Sequence, residues 1–203
     1  LKHNVSSLVP VTKVSSAPLI MAVTPAAGIN SVAELVAAAK KAPGKLNYGS
    51  SGSGSAPHLG MVYFSSVAGI EMQHIPFKGG SQATQSVISG RVEVFFGTPP
   101  STLPFVKAER LKGLAVSTPQ RSPYVADLPG MAELGYPDFN YSFWYGLFAP
   151  AGTPPEIVKK LQQATAQAMS GEVPKLTLAR EATEVSLSSS PEDFAAFLKE
   201  DAK

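Results

Sequence analysis

Between Leu19 and Ser117 the chain alternates apolar, strand-like runs with segments of helical spacing, and this alternation limits the fold more than any other feature. "APLIMAVTP" (Ala17 to Pro25) is an apolar run closed by proline and reads as a buried strand. "NSVAELVAAAKKAPG" follows with apolar residues at Val32, Leu35, Val36 and Ala39. Ser31 and Glu34 have the spacing of a capping box, and Pro43-Gly44 ends the helix. "LNYGSSGSGSAPHLG" (Leu46 to Gly60) reads as strand, loop and helix, with Leu59, Val62, Tyr63 and Val67 as the buried stripe and Gly69 as the stop. "EMQHIPF", "RVEVFFG" and "LKGLAVST" are further strands. "KGGS" with the short helix "QATQSVISG", and then "TPPST" with a helix through Ala108, separate them. Such alternation predicts an α/β lobe built on a parallel sheet, with helices on its faces.

After Thr118 the character changes. "PQRSPYVADLPGMAELGYPDF" is broken by prolines and mostly irregular. "SFWYGLFAP" is an aromatic strand, in which the Trp144 cluster reads as packing rather than a stacking platform. "TPPEIVKKLQQATAQAMSG" is a helix, with Thr153 as cap, Pro154 in the first turn, Glu156 closing the box and Gly171 as stop. Two more helices are predicted near 173–181 and 191–202.

The loop between Leu46 and Gly60 holds an unbroken run of Gly and Ser from Gly49 to Ser55. A flexible linker does not belong inside a regular βαβ array. A nucleophile elbow requires G-x-S-x-G, and the fifth residue from Gly49 is Ser53. A phosphate loop of the Walker type requires Gly-Lys-Ser/Thr where Gly54-Ser55-Ala56 stands, and a dinucleotide fingerprint requires glycine where Pro57 stands. Two readings survive: a strand-to-helix turn that Ser55 caps, or an anion site. In the second, Gly52 and Gly54 let the backbone approach a ligand, and the helix start offers unpaired amides. Ser51, Ser53 and Ser55 then add hydroxyls.

In a parallel sheet every loop that follows a strand opens on one edge, where open α/β sheets bind ligands. Three such loops here are small and polar: 50–55, 78–81 and 97–101. Lys78-Gly79-Gly80 brings one cation and two exposed amides, and Thr98 brings a hydroxyl. His58 falls in the first turn of its helix, either as a local hydrogen bonder or as a ligand contact. His74 sits in mid-strand, and His3 lies near the terminus. Glu93 reads as an end-of-sheet or paired carboxylate. No carboxylate pair falls at the loops, so general acid–base chemistry lacks obvious players and no catalytic residue is assigned. With no cysteine and no carboxylate at ligand spacing from a histidine, neither a metal site nor a cofactor is predicted. A formal charge of +2 without a basic run gives no reason to expect nucleic acid. No apolar run approaches the roughly 18–20 residues that cross a bilayer.

"LNYGSSGSGSAPHL", "HIPFKGGSQA", "GRVEVFFGTPPSTLPFVKAERLKGLAVSTPQRSP", "DLPGMAELGYPDF" and "WYGLFAPAGTPPEIVKKL" together resemble the tripartite tricarboxylate transporter substrate-binding proteins, the Bug or TctC-like family. The resemblance runs in order from about Val9 to the C-terminus. It implies a periplasmic, two-lobed (type II) binding protein without catalytic activity, which presents a small carboxylate to a membrane permease. Its ligand loops map onto Ser51, Gly52, Ser53, Gly54 and Ser55 with His58, and onto Lys78, Gly79 and Gly80. Members of the family begin with an earlier stretch that has no counterpart here. The resemblance therefore implies lobe two at 17–117, the remainder of lobe one at 1–16 and 118–203, and oligomerisation or swapping of the chain as it stands. Many members carry an acidic residue after the "FF" strand where this chain has Gly97-Thr98, which favours plain carboxylates over amino acids. Two alternatives stay open: the effector domain of a regulator, and an α/β enzyme acting on an anionic substrate.

Overall fold

The computed structural model describes residues 7–201; His3 and the predicted helix end at Ala202 lie outside them. The chain divides into two compact units, Ala17–Phe143 and Leu1–Ser16 with Trp144–Lys203. The strand β1 (Leu8–Pro18) leads from the second into the first.

The 17–143 unit is built on a five-stranded sheet of order β4-β3-β5-β2-β6. Its strands are β2 (Ile20–Val23), β3 (Asn47–Ser50), β4 (Gln73–Pro76), β5 (Val94–Gly97) and β6 (Lys112–Val116). Strand β3 runs parallel to both β4 and β5. The expected all-parallel sheet is corrected at β2, which lies antiparallel to β5 and β6. The exits of β3, β4 and β5 consequently share one edge, whereas the chain leaves β2 at the other. Period-two alternation divides the core between two faces. Met21, Val23, Val94 and Phe96 pack on one side, and Ala22 and Phe95 on the other. Helices α1 (Val32–Lys41) and α2 (Ala56–Ala68) supply Leu35, Met61 and Phe64 to the first face. Helices α3 (Gly80–Ile88) and α4 (Pro99–Lys107) supply Ala83, Val87 and Phe105 to the second. Each fully buried side chain of this size contributes about 1.5–3 kcal/mol.

The α1 start forms largely as its sequence predicts. Ser31 Oγ accepts from the Glu34 amide at 3.1 Å, while the Glu34 carboxylate reaches one residue further back, to the Asn30 amide, at 2.7 Å. The buried stripe of α2 is corrected. Leu59, Val62, Tyr63 and Val67 are all exposed, and the buried face is Pro57, Gly60, Met61, Phe64 and Ala68. Gly60 is the reason, because a Cβ there would stand 2.8 Å from Leu19 Cδ1, so this face sets the closest approach of α2 to the sheet.

Residues 118–143 belong with the sheet unit, which runs from Ala17 to Phe143. Met131, Phe139 and Phe143 share the core of Phe96 and Leu114. Ser117 Oγ fixes this return, accepting from the Leu19 amide at 2.7 Å and donating to the Tyr141 carbonyl.

The other unit holds a sheet of order β7-β1-β8, with β7 at Ser142–Pro150 and β8 at Glu184–Val185, together with α5 (Pro155–Ser170), α6 (Glu172–Arg180) and α7 (Pro191–Asp201). Pro154, not Thr153, is the cap of α5, and it has no side-chain cap bond. The Thr153 hydroxyl donates instead to the Pro150 carbonyl at 2.7 Å. Trp144 packs edge-on against Phe194 and Phe197, at 5.6 and 5.5 Å, which makes the aromatic strand core material.

Candidate functional site

The three small polar loops meet. The loop after β3 touches the loop after β4 through the Phe77 amide, which donates to the Ser50 carbonyl at 3.0 Å. The loop after β4 reaches the loop after β5 through Thr84, whose buried hydroxyl donates to the carbonyls of Gly80 at 2.9 Å and Ser101 at 3.0 Å. At Gly80 a Cβ would lie 3.2 Å from Ser101 Cβ. At Gly97 it would overlap Thr102 Oγ1 and the Phe95 ring, so only glycine fits where β5 turns into α4. Ser51, Gly52, Ser53, Gly54, Ser55, Lys78, Gly79, Gly80 and Thr98 therefore all border one edge of the sheet.

Within the first loop, Gly52 and Gly54 have φ of +124° and +80°, and Gly79 in the second has +143°, conformations that favour glycine. Part of the expected donor set is consumed locally. The Gly52 amide donates to Ser50 Oγ at 3.1 Å, the Gly54 amide to His58 Nδ1 at 3.1 Å, and the Ser55 amide to the Gly52 carbonyl at 3.2 Å. Ser55 occupies the cap position of α2, but its hydroxyl donates to Gly52 O at 2.6 Å and accepts from no helix amide. The capping reading of Ser55 is thus corrected. Among the described residues, the amides of Ser51 and Ser53 keep no acceptor. First-turn amides such as those of Gly80 and Ser81 have no intrahelical partner. In the third loop Pro99 and Pro100 carry no N–H, so its contribution is hydroxyl: Thr98 Oγ1 lies 3.1 Å from Ser101 Oγ.

Charge at this edge is sparse. Lys78 is exposed, and its amide donates to Gln82 Oε1 at 3.1 Å. Arg121–Glu133 is the one salt bridge among the described residues. Glu93 is occupied elsewhere, accepting from the Asn47 amide and side chain at 2.8 and 3.1 Å. Among the described residues, no group of three or more His, Asp or Glu could hold a metal.

Sequence reasoning passed over Ser50 and His74. Ser50 is fully buried, and its hydroxyl lies 2.6 Å from His74 Nε2. The His74 ring stacks on Tyr48 at 5.0 Å and meets His58 at 4.1 Å. Burial, and secondarily the neighbouring His58, hold His74 below the ordinary histidine range, and burial raises Tyr48. The available signal was register: Tyr48 and Ser50 pair with His74 and Pro76 across β3 and β4, so both histidines flank one loop.

Comparison with known proteins places these loops in context. The whole chain, residues 1–203, matches the family described as "Tripartite tricarboxylate transporter family receptor". The protein BugT of Bordetella pertussis is 33% identical over 162 residues, 80% of this chain and 50% of its own. A Cupriavidus necator protein of the UPF0065 group is 38% identical over 141 residues, 70% of this chain and 42% of its own. Among solved structures, an R. palustris protein with adipate superposes with a TM-score of 0.89 at 30% identity, covering 95% of this chain and 64% of that one. The periplasmic binding protein BugD gives 0.86 at 26% identity, covering 95% and 65%. The chain spans about half the length of the curated relatives it matches and just under two thirds of these solved chains. No helix among the described residues is long and apolar enough to cross a membrane. With a fold shared with periplasmic binding proteins and a match that runs from end to end, the chain belongs to the tripartite tricarboxylate transporter receptor family.

Proposed function

We propose that this chain is the ligand-binding part of a periplasmic receptor that captures a small di- or tricarboxylate for a tripartite tricarboxylate-type permease, without catalysing a reaction. The carrying observation is the meeting of three donor-rich loops at one sheet edge, joined by Phe77 to Ser50 and by Thr84 to Ser101. Ligand contact is assigned to the amides of Ser51, Ser53 and Gly80, the hydroxyls of Ser51, Ser53 and Thr98, and the Lys78 ammonium. Gly52, Gly54, Gly79, Ser55 and His58 shape the loops that present them. A charge-assisted hydrogen bond is worth about 1.5–3 kcal/mol and a helix terminus about 0.3–1. Four or five such donors, after ordering costs, support a micromolar Kd, about −8 kcal/mol, in a site that closes over its ligand, and one lobe alone falls well short of that.

The loops 51–55, 77–81 and 97–101 contain no carboxylate. An ammonium group would find no counterion there, so plain acids fit better than amino acids. A relative solved with adipate, a dicarboxylate, supports the same class. The test is a thermal-shift and calorimetric screen of aliphatic di- and tricarboxylates, with product analysis of each mixture. Stabilisation by an acid that is recovered unchanged is expected. Turnover would favour an enzyme, and no shift with any acid would remove the receptor reading.

A further inference from the structure

The Gly54 amide ends on His58 Nδ1, and Ser50 Oγ ends on His74 Nε2, so both sides of the first loop are tied to an imidazole. The two rings are themselves in contact, at 4.1 Å and 31°. An imidazole nitrogen accepts a hydrogen bond only while it carries no proton. The Gly54 bond therefore requires His58 to be unprotonated at Nδ1, with any ring proton on Nε2. The His74 bond survives either state, because Nε2 can donate to the Ser50 hydroxyl while that hydroxyl donates to Gly52 O at 3.0 Å.

We propose that His58 and His74 are positioning residues for the anion loop, and that protonation of His58 unpins Gly54 and weakens carboxylate binding. The inference rests on the carboxylate reading above. Three elements face the pair: α2 through His58, β3 through Tyr48 and β4 through His74. Burial raises the Tyr48 phenol further from titration, and burial, then the neighbouring His58, disfavour a charge on His74. Among the described residues no carboxylate forms an ion pair with either ring. One proton on the pair thus opposes another, and the first to reach Nδ1 of His58 removes the Gly54 acceptor. Gly54, at φ +80°, has no side chain to hold it in place of that bond. The loop that presents the Ser51 and Ser53 amides loses one of its two ties to an imidazole.

The test is a pH series from about pH 8 to about pH 5, spanning histidine titration, on the 203-residue chain. Proton–nitrogen NMR reads the ligand-free protein, and calorimetry reads adipate. The Gly54 amide is expected to move with the ring protons of His58, and adipate affinity to fall about tenfold across the series. His58→Asn places Oδ1 near the position of Nδ1 and cannot titrate there. It should flatten the Gly54 response while showing only the ligand's own pH dependence. His58→Ala should leave Gly54 mobile at every pH, and His74→Gln, which can keep a bond to Ser50 but removes the opposing ring, should raise the pH at which Gly54 responds. A Gly54 amide indifferent to the ring titration overturns the proposal. Adipate affinity that rises as His58 protonates overturns it too, making the pair a countercharge. Failure of adipate and every other carboxylate to bind at any pH counts against the receptor reading alone, since the ligand-free NMR series still decides the fate of the loop.

Discussion

The Phe77 amide donates to the Ser50 carbonyl at 3.0 Å, one residue beyond the last pair of the parallel β3–β4 ladder. This bond continues the sheet into the loops, so the first two donor loops inherit the register of the strands that feed them. The third is joined through a side chain instead, the Thr84 hydroxyl of α3.

Thr84→Val keeps shape and removes the hydroxyl that bridges Gly80 and Ser101. Losing one buried hydrogen bond costs about 1 kcal/mol. Urea unfolding should show that loss, and calorimetry a weaker carboxylate affinity, since no Thr84 atom needs to touch the ligand. Undiminished affinity would mean that the second and third loops act independently.

Ser117→Ala should be more damaging to stability and neutral to the loops themselves. It removes the acceptor of the buried Leu19 amide and the donor to the Tyr141 carbonyl. Leaving a buried donor unsatisfied costs about 1–3 kcal/mol. Denaturant midpoints should fall accordingly; a change within error would show that water enters and replaces the hydroxyl.

Much of this arrangement is legible in the residues. The Ser31–Glu34 cap, the strand–loop–helix unit at 46–68 and the three small loops all follow from local chemistry. Strand direction does not, because an apolar four-residue run such as Ile20–Val23 reads the same whichever way it points. The α2 stripe inverts for a related reason: Leu59, Val62 and Val67 compete with Met61 and Phe64 on a helix that is apolar nearly all round. Only the close approach at Gly60 decides between the faces. The donor inventory was overcounted because residue types do not reveal which amides are already bonded. Gly54 to His58 and Gly52 to Ser50 are such cases. Ser50 and His74 become visible as partners only once β3 and β4 are aligned.

Lys78→Ala separates dipoles from charge. An exposed ammonium contributes little in water, so affinity should drop by no more than about fivefold. Added salt should have a similarly small effect. A loss of two orders of magnitude would make Lys78 the principal binding group.

Acid should destabilise the folded chain through His74. Its pKa lies below the unfolded value because burial, and then His58, disfavour the charged ring. The stability that this neutral ring contributes is complete above the unfolded histidine value and is lost as pH falls through the lowered one. Melting temperature should therefore decline below about pH 6.5, and less so in His74→Gln. Equal declines in both proteins would place the sensitive group elsewhere.

The most direct measurement is an amide-by-amide NMR titration with adipate at neutral pH. Large shifts and slowed exchange at Ser51, Ser53, Gly80 and Ser81, with little change across α5 to α7, are the predicted result. Perturbation that leaves these four amides untouched would contradict the account, whatever the affinity measured.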